Sequence, residues 1–116
     1  MSKPTRYYSE KQEKFVADYL KAKKVSNSGA PLFTYGDVIC DNVLIECKTK
    51  VRKSKTLTIE RKWFKDIREE AFNANKSIHA VLFDFGYVAD YTETYVAVRL
   101  DDFKFLMELY NKEMGN

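Results

Sequence analysis

A chain of 116 residues with 45% hydrophobic and 15% aromatic content is long and apolar enough to bury one domain's core, which excludes disordered and low-complexity classes. A core of this size leaves little room for a deep enclosed pocket, so an open site, or one completed by a second subunit, is expected. The net charge of +3 is mild, but residues 48 to 55 (KTKVRKSK) hold five of the twenty Lys and Arg and no acid. That strip is either a polyanion-facing surface or an ordinary solvated loop.

In chain order, residues 1 to 8 read as a short basic arm carrying Lys3 and Arg6. Ser9 with Gln12 three residues on is a capping-box pattern and predicts a helix from Ser9 to about Lys24, its apolar face formed by Phe15, Val16, Tyr19 and Leu20. Asn27, Ser28, Gly29 and Pro31 mark a loop. Two short strands follow, Asp37 to Cys40 and Val43 to Lys48, joined by a tight turn at Asp41-Asn42. A basic loop runs to about Lys55. A second helix is expected from Ile59 to Asn75, capped by Thr58, with Ile59, Trp63, Ile67 and Ala71 at every fourth position. Ile78 to Phe85 and Thr94 to Leu100 read as strands, and Asp101 or Asp102 as the cap of a final helix carrying Phe103, Leu106, Leu109 and Tyr110. Apolar residues on both faces of the first hairpin predict an α/β domain whose sheet is covered by helices on both sides.

The two cysteines, Cys40 and Cys47, form no CxxC, and His79 is the single histidine, so a structural zinc site is not expected. Both cysteines sit in apolar runs and read as reduced core residues. The stretch MSKPTRYYSEK has no apolar signal core, and no apolar run approaches membrane-spanning length. The expectation is a soluble, cytoplasmic protein.

The hairpin concentrates the chemistry. With a two-residue turn at Asp41-Asn42, Cys40 pairs with Val43, Ile39 with Leu44, Val38 with Ile45, and Asp37 is expected opposite Glu46. One face then carries Asp37, Ile39, Leu44, Glu46 and Lys48; the other carries Val38, Cys40, Val43, Ile45 and Cys47. Two carboxylates opposed at about 5 Å are destabilising unless a cation takes up their charge. Hard oxygen ligands suit Mg2+, with Mn2+ able to substitute. Lys48 shares the face and can orient water or stabilise charge on a phosphate. The bland alternative is a solvated strand face, but Glu46 interrupts the apolar run VLIEC, where such a charge is least expected.

Asp37 followed by IECK at 45 to 48 resembles the PD-(D/E)XK nuclease signature, and the element order is similar to that superfamily's restriction-endonuclease-like αβββαβ core, with one strand not evident in the sequence. Within it the chain looks most like Holliday junction resolvases of the archaeal type and their phage relatives. Glu13 with Val16 and Leu20 fits the pattern E-x-x-L/V-x-x-x-L on the first helix, and SNSGAPLFTYGDV fits the loop leading into the Asp strand. The resemblance implies that Asp37, Glu46 and the Cys47 carbonyl bind Mg2+, that Lys48 is the catalytic lysine, and that Glu13 reaches the metal through water. It makes Ser28, or alternatively Ser26, the active-site serine and Arg6 a phosphate contact. Gly36 stands where that family has proline, and only eight residues separate Asp37 from Glu46.

Lys50, Arg52, Lys53 and Lys55 would then track a DNA backbone by shape rather than sequence. The resemblance implies a homodimer that cuts four-way junctions for DNA recombination and repair. Another nuclease of the superfamily, acting on flaps, nicks or duplex, and a non-catalytic nucleic-acid-binding module remain the alternatives. Glu13 on a charged helix face is equally well a solvated side chain, and Trp63, Phe64 and Phe72 at helical spacing read as core.

Overall fold

The computed structural model describes residues 4–25 and 36–115; Ser26 and Ser28 lie outside the described residues. The first helix, α1 (Thr5–Leu20), begins four residues before the expected Ser9. Pro4, at φ −57° and ψ 151°, leads into the first turn and accepts the amide of Tyr7 at 3.0 Å. A proline there gives up an N–H the helix start would leave unpaired anyway. Ser9 is therefore interior, and its hydroxyl bonds back to the Thr5 carbonyl instead of capping (3.4 Å). The helix stops at Lys21, which takes the left-handed conformation (φ 55°), and the Ala22 amide returns to the Ala17 carbonyl at 2.8 Å.

The strand missing from the sequence reading is β1 (Lys23–Lys24), paired antiparallel to β2 (Val38–Cys40). Two adjacent lysines carry no alternation of apolar and polar positions, so only the neighbouring strand makes them a strand. The hairpin from β2 to β3 (Val43–Lys48) turns through Asp41 at φ 50° and has the expected register at Cys40–Val43, Ile39–Leu44 and Val38–Ile45. After a loop, α2 (Arg61–Asn73) begins two residues later than expected; Glu60 rather than Thr58 occupies the N-cap, with no side-chain cap bond. Ile59, placed in the helix by its spacing, precedes it and is half exposed.

Strand β4 (Ile78–Asp84) runs parallel to β3, with Glu46 beside Val81 and Lys48 beside Phe83. A 3-10 turn (Tyr91–Glu93) leads to β5 (Thr94–Val98), antiparallel to β4. The last helix, α3 (Leu100–Glu113), is capped by the backbone of Arg99; Asp101 and Asp102 lie in its first turn, where they favour the helix dipole but do not cap. The described residues form an α/β domain with a five-stranded mixed sheet in the order β1-β2-β3-β4-β5 and three helices.

The alternation read from the hairpin sorts its residues between two cores. Val38, Ile45 and Cys47 pack with Ala80, Leu82 and the α1 residues Val16 and Ala17. Leu44, with Ile39, packs with Val81 and the α2 residues Ile67, Ala71, Trp63 and Phe64. Both cysteines are free thiols; Cys47 is buried and Cys40 only partly so. His79 is buried, and that burial lowers its pKa, as for a core histidine. Among the described residues no helix is long and apolar enough to cross a membrane.

Candidate active site

Glu46 and Lys48 project from β3 toward α2, on the face shared with Leu44. Lys48 places its Nζ over the Trp63 ring, 5.0 Å from the centroid. This contact holds the ammonium beside the sheet without neutralising it. Trp63, expected to be core alone, thus also positions the lysine.

Asp37 departs from the expected register. The paired ladder ends at Val38–Ile45, and the Asp37 amide donates to the Ile45 carbonyl at 2.9 Å. Asp37 and Val38 therefore share one cross-strand residue, as in a β-bulge. The bulge turns the Asp37 side chain along β3, where its Oδ2 accepts the amide of Cys47 at 2.7 Å. Asp37 and Glu46 are thus not a ladder pair, yet the Asp37 carboxyl lies near enough to disfavour the charged form of Glu46. Burial, then Asp37, push Glu46 up to about 8, with Lys48 opposing.

Gly36 makes this approach possible. It sits at φ +61°, which proline cannot adopt, and a Cβ there would meet Leu44 Cγ at 2.9 Å, Ile67 Cδ1 at 3.0 Å and the Ile45 carbonyl at 3.1 Å. Its amide donates to Glu70 Oε1 at 3.1 Å.

Glu70, on α2, is a residue the sequence reading missed. It is half-buried, and burial raises its pKa against the pull of the Gly36 N–H, with Asp37 adding repulsion. Its signal in the sequence was its place one turn after Ile67, at the margin of the apolar stripe. Glu13 of α1 also senses Asp37: burial first, then Asp37, push it up to about 7. Glu13, Glu46 and Glu70 therefore all feel the Asp37 charge, and Lys48 is the cation that opposes the rise at both Glu46 and Glu70.

Among the described residues no three His, Cys, Asp or Glu side chains converge closely enough to hold a metal ion. Glu13, expected to reach the metal through water, extends from α1, which packs on the other sheet face, and its carboxyl feels the charge of Asp37. Asp37 and Glu46 are the carboxyls that could hold a cation, with the Cys47 carbonyl the further donor that the resemblance implies and water completing the shell. Hard oxygens around a shared negative charge suit Mg2+ or Mn2+.

Behind the site lies a second polar cluster absent from the sequence reading. Asp84 is fully buried; its Oδ1 accepts Thr49 Oγ1 at 2.5 Å and the Gly86 amide at 2.8 Å, and its Oδ2 accepts Gln12 Nε2 at 2.9 Å. The same Gln12 nitrogen donates to the Lys48 carbonyl at 2.6 Å. The cluster anchors the end of β3 to α1 and β4. Asp84 ends the apolar run IHAVLFD much as Glu46 interrupts VLIEC, so the same rule could have found it.

The basic loop is partly committed to its own structure. Lys50 Nζ donates to Ser54 Oγ at 3.2 Å and to the Thr56 carbonyl at 2.9 Å. Lys53 lies over Tyr87, 5.1 Å from the ring centroid. Arg52 and Lys55 are exposed. Arg6 pairs with Glu10 at 2.7 Å on the open surface of α1. Comparisons with family models, with curated proteins and with solved structures each returned no match.

Proposed function

We propose that this chain is a metal-dependent DNA endonuclease of the PD-(D/E)XK type, acting on branched DNA as a Holliday junction resolvase. The observation that carries the reading is the approach of Asp37 to Glu46 beside Lys48 on the sheet face that packs Leu44 and Val81 against α2. A fold gains no stability from two half-buried carboxyls close together, and their cost falls when a cation occupies the site. The element order, with β3 parallel to β4 across α2 and an antiparallel meander before it, supports a restriction-endonuclease-like core.

In this reading Asp37, Glu46 and the Cys47 carbonyl hold the Mg2+. When bound, the ion supplies Lewis-acid polarisation of the phosphate and its attacking water. Lys48 places a positive charge where negative charge develops on the phosphate oxygens. The bulge at Asp37 orients the first carboxylate through the Cys47 amide, and the Gln12 bond to the Lys48 carbonyl fixes the strand carrying the lysine. Arg52 and Lys55, with Arg6 at the other margin, contact phosphates.

The test is cleavage of labelled four-way junction, flap and linear duplex in Mg2+, alongside Glu46→Ala. Paired symmetric nicks on the junction, lost in the variant, are the expected result. Equal cutting of all three substrates points to a less selective nuclease of the superfamily. Binding without cutting points to a nucleic-acid-binding module.

A further inference from the structure

The sheet face that carries Lys48 continues across the neighbouring strands as a line of rings. Lys48 is paired with Phe83 of β4, and Phe83 with Tyr95 of β5, so the three side chains stand side by side on one face. Phe85, two residues beyond Phe83, joins them. Tyr95 lies near-parallel to Phe83 with ring centroids 6.1 Å apart, and Phe85 meets Phe83 and Tyr95 edge-on at 6.0 and 6.3 Å. Among the described residues, neither the core under α1 nor the core under α2 includes these rings. Tyr95 keeps 51% of its surface exposed, and Phe83 and Phe85 are half-buried. Rings that served packing alone would lie beneath a helix; these lie open beside a lysine.

The charges that border the rings identify what covers them. On one side stands Lys48, its ammonium held over Trp63. On the other, the basic loop is fastened to the end of the ring-bearing strand. The Ser54 amide donates to the Phe85 carbonyl at 2.8 Å, and Gly86 lies so close to the loop that any side chain there would collide with the Arg52 carbonyl. Arg52 and Lys55 of that loop are exposed. Cations on both sides attract a phosphate backbone, and open π-faces between them attract bases, the combination that binds single-stranded nucleic acid. A paired base hides its faces within the duplex stack, so only an unpaired or splayed base can lie on a ring. Lys48 and Tyr95 are two strand spacings apart, about 10 Å, or about three steps of a DNA strand at about 3.4 Å each. We infer that Phe83, Phe85 and Tyr95 form a stacking surface for an unpaired base of the DNA strand whose phosphate lies at Lys48. The substrate must then present an unpaired nucleotide close to the cut, which a fully paired duplex does not. The placement of the phosphate rests on the nuclease reading; the ring contacts are tested by binding alone.

The experiment is fluorescence anisotropy of the full chain with labelled oligo(dT) and with fully paired duplex, in EDTA so that no metal-dependent cutting intervenes. Tyr95→Leu keeps an apolar side chain on β5 but removes the ring. It is expected to weaken oligo(dT) binding about 10-fold, the loss of one stacked base, and duplex binding less than about 2-fold. Tyr95→Phe is expected to bind both as the wild type does. A second measurement needs no variant: an iodouracil base in the single strand, irradiated on the wild-type chain, should cross-link to Phe83, Phe85 or Tyr95. Full oligo(dT) affinity in Tyr95→Leu, equal losses on single strand and duplex, or cross-links confined to other residues overturn the inference. So does a lower molecular mass of Tyr95→Leu in sedimentation, which assigns the rings to contact between copies. Ring-dependent binding of oligo(dT) by a chain that cuts no DNA in Mg2+ removes the nuclease reading and keeps the stacking surface. Equal cutting of junction and duplex, unchanged in Tyr95→Leu, removes the stacking surface and keeps a nuclease. A chain that binds no DNA overturns both.

Discussion

The carboxyls of Asp37 and Glu46 lie close together although the two residues are not partners in the strand ladder. Asp37 reaches its neighbour because the chain bulges before Val38: its amide turns to the Ile45 carbonyl and its carboxylate to the Cys47 amide. This arrangement concentrates negative charge at the margin of the α2-side core, and the first two predictions follow from that charge.

Stability without metal should fall with rising pH. Glu46 and Glu13 have folded-state pKa values of about 8 and about 7 against an ordinary 4.5. The folded state then binds more protons than the unfolded state between pH 4.5 and about 8, so the associated stability is complete below 4.5 and is lost as pH rises through 7 to 8. Urea midpoints in EDTA should decline over that range. Glu46→Gln should flatten the decline, and Mg2+ should raise the midpoint more at the alkaline end than at the acid end.

Asp37→Asn keeps an oxygen to accept the Cys47 amide but removes the charge facing Glu46. The expected outcome is a gain in metal-free stability of about 1 kcal/mol, together with loss of the Mg2+-dependent rise in midpoint. A functional site is marked by that opposition, and calorimetry with and without Mg2+ measures both parts. If the site cleaves DNA, Lys48→Met should lower cleavage of a four-way junction about 100-fold or more while leaving the unfolding free energy from urea denaturation within about 1 kcal/mol of wild type.

Gly36→Ala should be costly. The residue sits at φ +61°, and the added methyl would meet Leu44 and the Ile45 carbonyl at 2.9 and 3.1 Å. Strain and overpacking together predict a loss of about 2–4 kcal/mol by urea denaturation.

Asp84→Ala removes the acceptor of Thr49, Gln12 and the Gly86 amide at once. Buried donors left without partners predict a loss of about 3 kcal/mol or more. The Lys48 carbonyl keeps its bond to Gln12 only if that side chain stays in place. Hydrogen exchange at the end of β3 should therefore rise in this variant.

The basic loop separates by residue. If Lys55 contacts phosphate, Lys55→Ala should reduce the slope of log K against log salt for duplex DNA by about 0.9. Lys50→Ala should change that slope less and destabilise the loop more, because its ammonium already holds Ser54 and Thr56.

Several features were legible in the residues because short-range chemistry dictates them. The Asp41-Asn42 turn and the alternation of VLIEC set the hairpin register from Val38 to Ile45 and sorted its side chains between two cores, since a pleated strand with period two admits no other assignment. The apolar repeat of Trp63, Ile67 and Ala71 likewise identified the face α2 buries. Helix starts were less legible: Ser9 and Thr58 are competent caps, but Pro4 and the extended approach to Glu60 decide where the backbone first turns. Other features existed only once the chain was folded. Lys23–Lys24 became a strand because β2 offered it an edge. Glu70 and Asp84 joined the site or its support from α2 and β4, across separations no local pattern spans. The juxtaposition of Asp37 with Glu46 was readable as a charge pattern, but the strand period alone did not give the bulge before Val38, which is entered through Gly36 at a positive φ where Leu44 and Ile67, from different elements, leave no room for a side chain.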